Sequence, residues 1–247
     1  MHWNAGKHFQ AKTMHGRSHT CAINTMSQLF LVRHGQASLG AANYDQLSLL
    51  GHQQSVRLGQ HWRAQGLSFD AVISGTLQRH AQTLAGIQQG LGADIAATPW
   101  PGLNEYDSEA LIKTVHTGDW VKPTAPDGYK AYFKLLRKGL QLWMAGETQP
   151  QGMPSYTDFS KGVLAALAHI SQHHRGRILL ISSGGPIATA VAYVLGISPA
   201  QSIELNMRMR NSAVTEFHFT PHRHSLISFN HVAHLETPEH RDWVTYA

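Results

Sequence analysis

The chain has 247 residues, which is enough for one large α/β domain or two small ones. Its 42% hydrophobic content is ordinary for a globular protein, and no apolar run is long enough to span a membrane, so we expect a soluble, cytoplasmic protein. The formal net charge is +5, but setting aside Lys7, Lys12 and Arg17 leaves +2, and this near-balance argues against nucleic acid as a partner.

The first 25 residues are unlike the rest of the chain. They hold four histidines, no acidic residue and no apolar periodicity, so we expect residues 1–25 to be a disordered N-terminal extension. They are either a translated upstream extension, with the natural start at Met26, or an organellar transit peptide that lacks the usual arginine content and amphipathic pattern. The single cysteine, Cys21, cannot form an internal disulfide, which fits a reducing compartment.

Strand and helix signals alternate from Leu29 onward. The apolar run Leu29–His34 predicts a buried strand, and Ser48 is a candidate cap for a helix that continues to about Gly66. A second strand is predicted over Phe69–Gly75. Apolar residues at helical spacing then predict a helix that ends near Leu91.

Residues 118–154 have a different character. Prolines and glycines flank an aromatic segment with helical spacing, so we expect an inserted helical cap that overhangs a cleft. A further helix is predicted to begin at Thr157 or Asp158 and to continue through Ile170.

The stretch Ile178–Gly196 predicts a buried strand, a glycine turn and a helix, with Pro186 in the first turn and Gly196 at the stop. Two more strands are predicted, over Ala213–Phe219 and Ser225–Asn230, followed by an irregular tail. Alternating strands and helices favour a three-layer α/β/α sandwich with a mostly parallel sheet. In such a fold, reactive groups gather where the strands end.

Three chemical groups follow predicted strands or turns. Arg33 and His34 end the first strand, and they would supply a guanidinium fork for phosphate and a nucleophilic imidazole. Arg79 begins a helix, where the helix dipole disfavours a cation unless an anion binds there. Glu105 is a candidate proton donor, with Asp107 and Glu109 as rivals. Each residue taken alone also fits an ordinary solvated position.

Together, these motifs resemble the histidine phosphatase superfamily, also called the phosphoglycerate-mutase-like family. The resemblance covers residues 29–219 and rests on LVRHGQAS, LSLLGHQQSVRLG, FDAVISGTLQRHAQT, LNEYD, ILLISSGGPI and NSAVTEF, in the family's order. It implies one histidine phosphatase-like domain over residues 26–247, with 118–154 as the cap. It also implies a small phosphorylated substrate and no cofactor or metal; the sequence indicates neither a particular substrate nor an oligomeric state.

The resemblance also implies roles for particular residues. His34 would carry the phosphoryl group, and Glu105 would act as acid and then base. The implied phosphate-binding residues are Arg33, Arg79, Ser183 and Gly184.

The sequence departs from the family pattern at Ser183, where the family usually has a second histidine. A neutral hydroxyl is a weaker donor than a charged imidazole, so we expect reduced activity or, as the alternative, a non-catalytic phosphate-binding protein. The backbone N–H groups of Gly184 and Gly185 could compensate with Ser183, or another histidine, His80 or His231, could fill the position. A mutase is disfavoured, because the segment after Arg33 and His34 lacks the Trp-Asn pair that the mutases' version would have.

Overall fold

A single six-stranded sheet forms the centre of the protein. The computed structural model describes residues 26–38, 45–118 and 126–246. The strands are β1 (Ser27–Arg33), β2 (Ala71–Ser74), β3 (Ala97–Pro99), β4 (Arg177–Ser182), β5 (Val214–Thr220) and β6 (Arg223–His231). Their order is β3-β2-β4-β1-β5-β6. In this order the first three neighbouring pairs are parallel and the last two pairs are antiparallel, which confirms a mostly parallel sheet.

Seven α-helices lie within the described residues. They are α1 (Leu49–Ala64), α2 (Gln78–Leu91), α3 (Ser108–Lys113), α4 (Pro126–Met144), α5 (Tyr156–His173), α6 (Gly184–Leu195) and α7 (Pro199–Met207). Ser48 caps α1 as predicted, because its side chain accepts a hydrogen bond from the Gly51 N–H. Gly196 ends α6 in the left-handed conformation at φ 67°, which glycine adopts at low cost.

The helices cover both faces of the sheet. On one face, Phe30 and Val32 of β1 pack with apolar residues of α1 and α2. On the other face, Leu29 and Leu31 pack with residues of α5 and α6. Because successive strand residues point to opposite faces, a continuous apolar run such as that of β1 is buried on both sides. The three-layer α/β/α architecture is therefore confirmed.

Among the strands and α-helices of the described residues, β3, α3 and α7 were not predicted from the sequence. The helix α5 begins at Tyr156, one or two residues before the predicted start at Thr157 or Asp158, because Ser155 is its N-cap. In the 118–154 segment, α4 contributes Leu140 and Trp143 to the main core, while residues 119–125 lie outside the described part of the chain. The prediction for residues 1–25 also lies outside it. Within the described residues, no helix has the length and apolar character needed to cross a membrane.

Candidate active site

The candidate residues gather at the edge of the sheet where the parallel strands end. Arg33, the last residue of β1, lies in register with Ser182, the last residue of β4. The His34 N–H extends this pairing by donating to the Ser182 carbonyl at 2.9 Å. On the neighbouring strand, the Gly75 N–H donates to the Ile181 carbonyl at 3.0 Å. The parallel register thus brings the ends of β1, β2 and β4 to one place.

His34 is buried and held in one orientation. Its Nδ1 lies 2.7 Å from the carbonyl oxygen of Gly35, which can only accept, so this hydrogen bond assigns the proton to Nδ1 and leaves Nε2 unprotonated. Burial, followed by the positive charges of Arg79 and Arg33, lowers the pKa of His34 well below its usual value. The imidazole is therefore neutral near pH 7, as a nucleophile must be.

Gly35 allows this packing because a side chain would not fit. A Cβ atom at Gly35 would overlap the backbone carbonyl of Gly51 in the first turn of α1. The Gly35 N–H also donates to the Thr83 hydroxyl of α2 at 3.1 Å. The turn after β1 is thus fixed between two helices.

Both arginines contact acceptors within the protein. Nη1 of Arg33 donates to the carbonyls of Met209 and Tyr246, the latter at 2.6 Å. Nη1 of Arg79 forms an ion pair with Asp45 at 2.7 Å. Arg33 precedes His34 in the chain, and the charges of both arginines contribute to the lowered pKa of His34. Asp45 was not singled out by the sequence analysis.

Glu105 follows a short 3-10 turn and lies against the start of α6. Its Oε2 accepts a hydrogen bond from the Gly185 N–H at 3.1 Å, and its Oε1 accepts one from the Tyr106 N–H at 3.3 Å. Burial raises the pKa of Glu105, although these hydrogen bonds and the charges of Arg79 and Arg33 act in the opposite direction. A carboxyl group with a raised pKa is suited to donate a proton.

The two rival carboxylates have other surroundings. Asp107 is the N-cap of α3, where its Oδ1 accepts hydrogen bonds from the N–H groups of Glu109 and Ala110. Glu109 is exposed in the first turn of that helix. The geometry therefore favours Glu105 over both.

Ser183 is fully buried at the N-cap of α6, and Gly184 is the first residue of that helix. The Ser183 Oγ lies 2.7 Å from Nε2 of His80, which is also fully buried. The rings of His80 and His34 are 5.9 Å apart between centroids. The other candidate, His231, has Glu216 and Glu236 as its charged neighbours instead.

The Gly185 N–H has a different partner from the one that the sequence analysis considered. It donates to Glu105, so it orients the acid and is not available to a phosphate in this arrangement. Gly184 keeps the position expected of it, at the start of α6, where the first N–H groups of a helix lack intrahelical acceptors.

A cleft of about 310 Å³ opens beside Glu105. Three parts of the chain line this cleft: the loop around Glu105 with Tyr106, the segment before α5 with Met153, and α5 itself with Phe159. Among the described residues, no group of three or more His, Cys, Asp or Glu side chains is arranged to hold a metal ion.

A model of the histidine phosphatase superfamily (branch 1) matches residues 29–232. Over 68 residues the chain is 34% identical to a broad-specificity phosphatase of Saccharomyces cerevisiae; this match covers 25% of the chain and 30% of that relative.

Solved structures of the same fold cover most of the chain. A phosphoserine phosphatase from Entamoeba histolytica, solved with 3-phosphoglyceric acid, is 24% identical with a TM-score of 0.58, covering 85% of this chain and 100% of its own. An alpha-ribazole phosphatase from Shigella flexneri is 22% identical with a TM-score of 0.59, covering 83% and 97%. A phosphoglycerate mutase from Bacillus anthracis is 16% identical with a TM-score of 0.60, covering 85% and 95%.

Proposed function

The chain belongs to the histidine phosphatase superfamily, and from this premise we propose that it hydrolyses a phosphomonoester through a phosphohistidine on His34. One observation carries the proposal: the buried His34 is held by a 2.7 Å hydrogen bond from Nδ1 to the Gly35 carbonyl, which leaves its Nε2 unprotonated. A neutral imidazole beside fixed positive charges can attack phosphorus while the negative phosphoryl oxygens are held in place.

In the first step, Nε2 of His34 attacks the phosphorus atom opposite the ester oxygen. A P–N bond forms, the P–O bond to the alcohol breaks, and the electron pair leaves with the oxygen. Arg33 and Arg79 stabilise the equatorial phosphoryl oxygens. To bind them, Arg33 gives up its contact with the Met209 carbonyl, and Arg79 gives up its contact with the Asp45 carboxylate. Protonated Glu105 gives its proton to the departing oxygen, so the alcohol leaves neutral.

In the second step, water removes the phosphoryl group. Glu105, now a carboxylate, takes a proton from the water as its oxygen attacks phosphorus. The P–N bond breaks and its electron pair returns to His34, which regains the starting tautomer because Nδ1–H remains bonded to Gly35 throughout. Inorganic phosphate leaves and Glu105 is protonated again. Only this chain's side chains and water take part.

A second candidate function is non-catalytic binding of phosphate or a phosphorylated ligand. Two features favour it: Ser183 stands where the resemblance to the family implies a second histidine, and Nη1 of both Arg33 and Arg79 contacts acceptors within the protein. Such a protein would bind inorganic phosphate and lose that binding on Arg33→Ala, without turnover of any phosphomonoester.

The proposed reaction is tested by assay and by labelling. We expect the native protein to hydrolyse p-nitrophenyl phosphate and to retain ³²P from a labelled substrate in an acid-labile, base-stable form. The His34→Ala variant should lose both properties, whereas His52→Ala, which changes an exposed histidine on α1, should keep them. Absence of native turnover, or turnover that survives the change at His34, would overturn the proposed reaction.

A further inference from the structure

One buried imidazole in the active-site corner has no role in the mechanism above. His80 lies in the first turn of α2, and its side chain is fully buried. Its Nε2 is 2.7 Å from the Oγ of Ser183, at the start of α6, and its ring faces that of His34 at a centroid distance of 5.9 Å. Burial, followed by the charge of Arg79, lowers the pKa of His80 to about 3, so the ring is neutral in the free protein.

Ser183 behaves unlike the other serines that begin helices in the described residues. A serine at an N-cap normally accepts a hydrogen bond from the backbone two or three residues on, which stabilises a helix by about 1 kcal/mol. Three other serines do this: Ser48, Ser155 and Ser198. Ser183 makes no such hydrogen bond and contacts His80 instead. Its hydroxyl is therefore held by the imidazole and not by its own helix.

The space for the imidazole depends on a glycine. A Cβ atom at Gly75, at the end of β2, would overlap Nδ1 of His80 and would lie 2.9 Å from Oδ1 of Asn104. Any other residue at this position would push the ring away from Ser183. Three elements (the end of β2, α2 and α6) thus fix the distance between His80 and Ser183.

We propose that His80 is a positioning residue for phosphoryl transfer, acting through Ser183. When Nε2 carries the proton, His80 donates to the Ser183 oxygen, and the hydroxyl proton of Ser183 points to an oxygen of the phosphoryl group on His34. A hydroxyl has one donor and two acceptor sites, so it can accept from His80 and donate onward at the same time. The pair would thus supply a donor at the corner where α6 begins.

This role rests on the proposed function, and kinetics separate the two. His80→Leu keeps a buried side chain without a hydrogen bond, His80→Gln keeps an N–H donor, and Ser183→Ala removes the outer donor. With p-nitrophenyl phosphate, we expect His80→Leu and Ser183→Ala each to lower kcat by about 10–10²-fold, below the 10²–10³-fold typical of losing a direct oxyanion donor. KM should change less than about threefold, because the donor acts on the transferring group.

The double variant and the conservative variant distinguish positioning from simple packing. Because the two residues act as one unit, His80→Leu with Ser183→Ala should lose no more kcat than either change alone. His80→Gln should recover part of the rate. A His80→Leu enzyme with native kcat, or losses that multiply in the double variant, would overturn the inference while leaving hydrolysis by His34 intact.

A binding measurement decides the inference even without turnover. In protein labelled with ¹⁵N-histidine and saturated with inorganic phosphate, the Nε2 resonance of His80 should have the shift of a protonated ring nitrogen, and Ser183→Ala should change that shift. Circular dichroism and thermal melting identify any variant that has failed to fold. An unprotonated Nε2 of His80 in the phosphate complex of the native protein would refute the positioning role, whatever the enzyme activity.

Discussion

The Gly185 N–H donates to Oε2 of Glu105 at 3.1 Å. This hydrogen bond joins the start of α6 to the loop that supplies the proposed acid, across 80 residues of sequence. The glycine turn after β4 therefore has two functions in the proposed site. It presents Ser183 to His80, and it fixes the carboxyl group of Glu105.

The first prediction concerns Gly185→Ala. A Cβ atom there would overlap Oε1 of Glu105 and would lie 2.6 Å from the ring of Tyr106, so the acid must move. We expect kcat for an alkyl phosphate to fall by about 10–10²-fold, less than the roughly 10²–10⁴-fold ascribed to general acid catalysis, because the acid is displaced and not removed. The loss should be smaller for p-nitrophenyl phosphate, whose leaving group needs little protonation.

The control for Gly185→Ala is the same change in a Glu105→Gln background. If displacement of the acid causes the loss, Gly185→Ala should add little in this background, because a glutamine in place of Glu105 has no acidic proton to donate. Independent, multiplying effects would instead show that the methyl group disturbs another part of the site.

The second prediction is the pH dependence of kcat. His34 must be neutral, and its pKa lies well below 6.5, so the acid limb should fall at a pH below that of an ordinary histidine. Glu105 must be protonated for the first step, and its pKa lies above 4.5, so activity should decline on the alkaline side as this proton is lost. Glu105→Gln should lower kcat and remove the alkaline limb; a limb that persists in this variant would assign it to another group.

Much of the architecture follows from local sequence signals. The apolar runs of β1 and β4, the serine before α1 and the glycine after α6 each carry a physical reason for one conformation, and each prediction is confirmed. Two of the unpredicted elements are short: α3 has six residues and β3 has three. The strand β3 also ends in Pro99 at the sheet edge, where a missing N–H is tolerated. The start of α7 did carry a signal in the sequence. Ser198 and Gln201 form a capping box, and Pro199 stands in the first turn.

The candidate site was less accessible to sequence reasoning. The order of the motifs predicted that Arg33, His34, Arg79 and Glu105 lie in one region, because the ends of parallel strands meet at one edge of the sheet. Side-chain partners depend on packing between distant segments, which local patterns do not encode. The contact between His80 and Ser183 joins residues 103 positions apart, and only the structure distinguishes it from the alternative at His231. The ion pair of Asp45 with Arg79 was missed for the same reason.

The third prediction concerns stability in acid. His234 is buried, its Nε2 lies 2.8 Å from the Ser212 hydroxyl, and burial, followed by nearby His61 and His231, lowers its pKa to about 3. The unfolded chain therefore binds this proton more readily between about pH 3 and 6.5. As pH falls through that window, the folded state should lose about 1.4 kcal/mol per pH unit from this group.

Urea unfolding at pH 4, 5 and 6 measures this dependence. His234→Gln should reduce the slope of unfolding free energy against pH by about 1.4 kcal/mol per unit, because the group that titrates has been removed. His222→Gln, at an exposed position, is the matched control and should keep the native slope. An unchanged slope in His234→Gln would mean that this imidazole already binds its proton in the folded protein.

The fourth prediction tests whether position 183 can accept the second histidine that the resemblance implies there. Ser183 is fully buried and its oxygen is 2.7 Å from the His80 ring, so a second imidazole would overlap the first. We therefore expect Ser183→His alone to lower both kcat and stability, the latter by the roughly 1–3 kcal/mol typical of overpacking.

Combining it with His80→Ala opens the space that the new ring needs. The double variant should then regain stability and exceed the kcat of Ser183→His by about tenfold, since a direct donor replaces the pair. Steady-state kinetics and urea unfolding of the native protein, both single variants and the double variant complete this cycle. A Ser183→His enzyme that is faster than native without the second change would show that His80 does not occupy the space of the missing histidine.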